Sequence, residues 1–250
     1  HKTFIEFDEI NKKLGVQKCR AIATSATREA KNSVEFVQFL RPTGIQVEVI
    51  SGDLEAQMLH KAVAFEVEIE RTRSLLVDIG GGSIEVTHVD HGKILSSESF
   101  PVGTVRLLDE LRRRGLKEEN LKVLMGDFLS PLLKFFERTV SHTPIDFTVG
   151  TGGNFEAMAS LKKQLLNKHP AQTLTLEEIS ELSDRMRKTS MKDRVQKLKL
   201  RPDRADVILP ALFVVETILR QANCNKLLVP KVGLRDGIIL SMMDEMKLTI

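Results

Sequence analysis

LLVDIGGGSIE, from Leu75 to Glu85, is the stretch on which the fold turns. Leu75, Leu76 and Val77 form an uninterrupted apolar run, the pattern of a strand covered on both faces. An acid, Asp78, stands near its end, and Gly80, Gly81 and Gly82 follow at once. Glycine lets the chain turn tightly and lets amides approach a ligand with no Cβ in the way. Consecutive amides make an anion-holding hollow, to which Ser83 adds a hydroxyl. Asp78 suits a hard cation such as Mg²⁺, which favours carboxylate, water and phosphate oxygens. The plainer alternative is a glycine-rich hairpin turn with a structural aspartate. The buried run before the glycines and Glu85 just after them favour a phosphate loop.

Strand and helix patterns alternate outward from this segment. IEVTHV (Ile84 to Val89), a turn at Asp90 to Lys93, and ILSSESF (Ile94 to Phe100) predict a hairpin. Upstream, CRAIA (Cys19 to Ala23) and QVEVI (Gln46 to Ile50) predict strands, each followed by a helix: Ala26 to Leu40, then Ser51 to about Phe65. Downstream, Leu121 to Phe136 has helical spacing that Pro131 should kink or split, with Ser130 as a new N-cap. DFTVG (Asp146 to Gly150) predicts a strand before a helix to Leu166, and Thr175 to Glu178 has capping-box spacing for a helix to about Lys188. The basic stretch Ser190 to Pro202 is expected to be a surface loop. An apolar helix from Ala205 to Gln221, a strand LLVPK (Leu227 to Lys231) and a helix from Gly233 to Met246 complete the pattern. The alternation points to an α/β fold.

Bulk properties exclude several classes. The 250 residues are 42% hydrophobic and 28% charged, ordinary for a soluble domain or two lobes. The longest apolar runs fall short of the roughly 20 residues of a membrane span, so no membrane partner is expected. The net charge of +3 and the absence of Tyr and Trp give no call for nucleic acid. Cys19 and Cys224 have no metal-ligand spacing and suit reduced thiols in a cytoplasmic protein. His88 and His91 flank a turn and are expected at the surface.

Three further segments carry candidate chemistry. VGTGG (Val149 to Gly153) and VGLRDGI (Val232 to Ile238) are strand-to-helix turns, and Gly233 and Gly237 are candidates for close helix packing. ISGDLEA (Ile50 to Ala56) puts Glu55 in the first turn of a helix, where the dipole favours a carboxylate. In order and character these segments resemble the Ppx/GppA phosphatases, the exopolyphosphatases and guanosine pentaphosphate phosphohydrolases of the actin-like ATPase superfamily. ATSATREAKN (Ala23 to Asn32), VEVISGDLEA (Val47 to Ala56), PVGTVRL (Pro101 to Leu107), RADVILPA (Arg204 to Ala211) and GLRDGI (Gly233 to Ile238) extend the resemblance over nearly the whole chain.

The resemblance implies an Mg²⁺-dependent phosphoanhydride hydrolase, with a monovalent cation as a further candidate. Glu55 matches the catalytic glutamate that activates water, and Glu85 a second acidic site residue. Asp78 matches the aspartate associated with Mg²⁺. Gly80, Gly81, Gly82 and Ser83 match the phosphate cradle, joined by Gly152 and Gly153 of VGTGG. Arg28 matches an arginine that meets substrate phosphate, and Arg204 one that contacts substrate. The partners implied are polyphosphate or guanosine penta- and tetraphosphate, with a homodimer as the assembly. Leu54 stands where many members carry an acid, and Ile84 replaces a common Thr. The chain starts at His1, and the family's first phosphate loop, a DxGSNS-like segment, has no counterpart; truncation of the first lobe is the expectation.

The implied architecture is two ribonuclease-H-like α/β lobes with a cleft between them. Residues 1–71 with 234–250 make the first lobe and 72–233 the second, which carries the phosphate loop. Two other readings stand beside hydrolysis: a non-catalytic binder of (p)ppGpp or polyphosphate, and an actin-like ATPase or sugar kinase whose VGTGG turn contacts adenosine.

Overall fold

The computed structural model describes residues 1–116, 118–140 and 144–247. Helix α1 (Lys2–Leu14) leads into a small parallel sheet of β1 (Ala21–Ala23) and β2 (Val47–Val49). Helices α2 (Ser25–Arg28) and α3 (Ser33–Leu40) lie between these strands, and α4 (Gly52–Glu66) follows them. A six-stranded sheet comes next among the described residues, ordered β5-β4-β3-β6-β8-β7. Its strands are β3 (Arg73–Ile79), β4 (Ile84–Asp90), β5 (Lys93–Phe100), β6 (Phe147–Thr151), β7 (Thr173–Leu174) and β8 (Leu227–Leu228). After β5 come α5 (Thr104–Arg113), α6 (Leu121–Phe128) and α7 (Ser130–Phe135), and after β6 comes α8 (Gly153–Leu161). Between β7 and β8 run α9 (Leu176–Arg187), α10 (Met191–Gln196), α11 (Pro202–Ala205) and α12 (Ile208–Gln221). The last helix described is α13 (Leu234–Glu245).

Strand β3 is central because both of its faces are apolar. Leu75, Val77 and Ile79 join a core with Leu107 of α5, Phe155 of α8 and Leu209 and Leu212 of α12. Leu76 faces the other way, onto Val63 of α4, Val89, Phe147 and Val149. The strand pairs antiparallel with β4 and parallel with β6, which sets Asp78 opposite Glu85 and Thr151. Helix α4 is thus laid along one face of the large sheet, and α13 locks onto α4. A Cβ on Gly237 would come 1.8 Å from Met58 O, so only glycine fits that crossing. A Cβ on Gly233 would meet nothing within 4 Å, so no close packing requires glycine there.

Several expectations need correction. The predicted helix from Ala26 to Leu40 is two helices, interrupted over residues 29–32. Ser130 opens α7 without capping it through its side chain; Leu129 flanks the helix instead. Pro131 marks the break as predicted, since it sits where no donor is needed. The apolar helix begins at Ile208, so Pro210 falls in its first turn, where no intrahelical donor is needed. The last strand is only Leu227–Leu228. The basic stretch holds α10, and its Arg194 is buried at 2% exposure. It forks onto both Glu118 oxygens at 2.8 Å and donates to the carbonyls of Ala205 and Met186. His88 is also buried, because its register partner in the hairpin is Leu75 on the inward face. Helix α1 was not anticipated, although Phe7, Ile10 and Leu14 recur at helical spacing; it buries none of its residues. Residues 248–250 of the expected first-lobe return lie outside the described residues.

Candidate active site

The site grows from the end of β3. Parallel pairing sets Asp78 beside Thr151, so the turn after β6 must pass its carboxylate. Gly152 makes that turn with φ 88, a left-handed conformation that side chains resist. A Cβ there would also come 3.1 Å from Asp78 Oδ1. Asn154, in the first turn of α8, ties the helix to β3 by donating to Ile79 O at 2.7 Å. Gly153 makes room for Arg204, whose Nη2 would lie 2.9 Å from a Cβ at that position. Register and two glycines thus gather Asp78, Gly152, Gly153 and Arg204.

The glycine loop is seated on α5. Thr104, Val105 and Arg106 direct their amides at the carbonyls of Gly80 and Gly81, and Gly103 donates to Gly82 O at 3.2 Å. The loop's carbonyl edge is therefore occupied. The amides of Gly81 and Gly82 donate to no backbone carbonyl among the described residues, which leaves that edge for an anion. The seat is tight, since a Cβ on Gly103 would fall 2.3 Å from Gly81 O.

Glu55 reaches this region from α4. Ser51 caps that helix by accepting from Leu54 N at 3.2 Å, and Glu55 follows in the first turn. Its Oε2 lies 3.3 Å from Arg28 Nη1, which also donates to Ile50 O at 2.8 Å. Glu55, Asp78 and Glu85 line one recess with Ala56, Leu59, Leu76, Thr87 and Leu234. Its free volume of about 10 Å³ is on the scale of one water. A roomier cavity of about 230 Å³, between α8 and residues 229–231, has Glu156 as its sole acid. Chemistry, not size, marks the smaller recess.

Glu85 is held by hydroxyls. Ser83 donates to its Oε1 at 2.6 Å and Ser99 at 2.9 Å. Ser83 Oγ also lies 2.9 Å from Ser25 Oγ. With its one proton committed to the carboxylate, Ser83 accepts from Ser25 there. Ser25 begins α2, so this contact joins the small sheet's helices to the phosphate loop.

Crowding in this recess raises the proton affinity of Asp78 and Glu55. Burial, then the charges of Glu85 and Glu55, push Asp78 up to about 7, against the opposing pull of Arg204. Burial is also the main cause for Glu55, followed by Glu85, while Arg28 offsets part of the rise. A divalent cation would relieve this crowding, so the donor set fits Mg²⁺. No group of three or more His, Cys, Asp or Glu side chains forms a metal cage among the described residues. Mg²⁺ takes one or two carboxylates and completes its shell with water and phosphate oxygens.

A model of the Ppx/GppA phosphatase family matches residues 1–246. The chain belongs to this family. Among Ppx/GppA relatives, "Exopolyphosphatase 1" of Mycobacterium tuberculosis is 27% identical, over 97% of this chain and 72% of its own length. "Exopolyphosphatase 2" of the same organism is 27% identical, over 90% and 75%. A solved exopolyphosphatase from Cytophaga hutchinsonii superposes with a TM-score of 0.86 at 26% identity, covering 98% of this chain and 80% of that one. A PPX-GPPA enzyme of Aquifex aeolicus gives 0.76 at 28%, covering 96% and 80%. The mixed α/β fold is thus that of solved Ppx/GppA proteins.

Every candidate site residue expected from the sequence lies in this neighbourhood: Glu55 and Arg28 on one side, Asp78, Glu85 and the glycine loop on the other, with Gly152, Gly153 and Arg204 behind Asp78. Sequence reasoning assigned no role to Ser25, Ser99 or Arg106, although the ATSATREAKN and PVGTVRL segments already held two of them. Ser99 could be reached by counting across the hairpin, where it is the register partner of Glu85.

Proposed function

We propose that this chain is an Mg²⁺-dependent phosphoanhydride hydrolase that releases the terminal phosphate of inorganic polyphosphate. The same chemistry takes the terminal phosphate of pppGpp. The observation that carries the reading is the shared recess of Glu55, Asp78 and Glu85, with Arg28 bonded to Glu55 and the phosphate loop's Ser83 bonded to Glu85. The names of the relatives support polyphosphate as substrate.

Glu55 is the base. Its pKa lies above the ordinary value, which makes it a better proton acceptor near neutrality. It takes a proton as the water oxygen forms a bond to the terminal phosphorus. The bridging P–O bond breaks, and the bridging oxygen leaves with the shortened chain, its electron pair retained. Little covalent work falls to the protein in such a transfer, so positioning and charge dominate. The free amides of Gly81 and Gly82 and the Arg28 guanidinium meet the phosphoryl oxygens. Asp78, with Glu85 nearby, would hold Mg²⁺, which neutralises charge on the phosphate oxygens. Ser83 and Ser99 keep Glu85 oriented.

The test is orthophosphate release from long-chain polyphosphate and from pppGpp, with Mg²⁺ and with a chelator. Release from chain ends that stops in the chelator is the expected result. Failure to release orthophosphate from either substrate in Mg²⁺ contradicts the reading.

A further inference from the structure

Arg106 occupies an unusual place for an exposed arginine. Its backbone amide donates to Gly81 O at 3.3 Å, so its position on α5 is fixed to the phosphate loop. Its Nε lies 3.9 Å from where a Cβ on Gly82 would stand, which sets the guanidinium beside the loop. Nη2 reaches away from α5 to Glu29 Oε2 at 2.5 Å. Glu29 directly follows Arg28 at the end of α2, so two adjacent residues meet the site with opposite signs. Arg28 engages Glu55, and Glu29 engages Arg106.

We propose that Arg106 is a further substrate-phosphate ligand, and that Glu29 holds its guanidinium beside the loop until a phosphate chain displaces the carboxylate. This rests on the hydrolase reading and extends it to a specific contact along the chain. The pair is easily exchanged, since both side chains are well exposed, at 45% and 38%, and such pairs contribute little. Glu29 uses only Nη2; Nε and Nη1 carry no hydrogen bond among the described residues. A planar fork with free donors takes a phosphate through two parallel bonds, which a single carboxylate contact does not match. The neighbouring arginines differ. Arg112 pairs with Asp109 on its own helix, and Arg113 and Arg114 pair with Glu110.

The test is calorimetric titration of tripolyphosphate in a Glu55→Gln background, which suppresses turnover, alongside turnover of the same variants with Glu55 intact. Arg106→Ala is expected to weaken binding at least roughly tenfold, through loss of a charge-assisted fork on phosphate. Arg106→Lys should fall between, because it keeps the charge and loses the fork. Glu29→Gln should tighten binding, and Arg112→Ala should leave it unchanged. Equal affinity in Arg106→Ala and its parent overturns the inference while leaving the hydrolase reading standing. An equal loss in Arg112→Ala also overturns it, since general charge would then explain the effect. Binding of tripolyphosphate through Arg106, with no orthophosphate released from it, from long-chain polyphosphate or from pppGpp, overturns the hydrolase reading alone. A parent that does not bind tripolyphosphate overturns both.

Discussion

Asp78 shows how a residue can be placed at the expense of its own ionisation. Its carboxylate is crowded by burial and by two neighbouring acids, and its folded-state pKa of about 7 stands well above the ordinary 3.8. Between those values the folded protein holds a proton that the unfolded chain has lost. Metal-free stability must therefore fall as pH rises through that window and level off above it. Glu55 is shifted in the same direction and adds to the decline. Asp78→Asn removes the larger share. Urea unfolding in chelator, at about pH 5 and about pH 8, should show a smaller drop for the variant and a higher midpoint at the upper pH. A wild-type midpoint that does not fall over this range contradicts the crowding. Asp78 stood out as a candidate in LLVDIGGGSIE, because it comes near the end of a buried strand just before three glycines. Its hydroxyl-held neighbour was less so. Ser99 acquires meaning only through hairpin register, and Arg106 only through the seating of α5.

At the scale of elements, the seat of α5 on the glycine loop is the contact that shapes the proposed anion site. Three α5 amides are spent on loop carbonyls, which turns the other edge outward. Gly103→Ala would drive a Cβ to 2.3 Å from Gly81 O, so helix and loop must part. Overpacking of this kind costs roughly 1–3 kcal/mol, readable as a lowered urea midpoint, and tripolyphosphate affinity should fall with it. Retained stability and affinity would show that the seat is slack. The elements themselves were legible where period and punctuation agreed: the β4–β5 hairpin, the α4 start at Ser51, and the Thr175 capping box with both of its bonds. They failed where tertiary contact decides. Arg194 belongs to a run of cations that looks solvated, yet Glu118 and two carbonyls draw it inside. The chain pauses over residues 29–32 between α2 and α3, and that interruption delivers Glu29 to Arg106.

At the scale of the whole molecule, the account depends on two sheets bringing their parts to one recess. Helix α4, which follows the small sheet, carries Glu55, and β3 and β4 of the large sheet carry Asp78 and Glu85. Helix α13 braces the arrangement through the glycine crossing at Met58, and Leu234 at its start lines the recess itself. Order along the sequence suggested this meeting, but only the layering of α4 on the large sheet brings it about. The most direct test of that geometry is steady-state orthophosphate release from polyphosphate by Glu55→Gln, with tripolyphosphate binding measured in parallel. The account predicts turnover reduced by about 10²–10⁴-fold, the usual worth of a positioned base, with binding retained. Undiminished turnover in Glu55→Gln would contradict it.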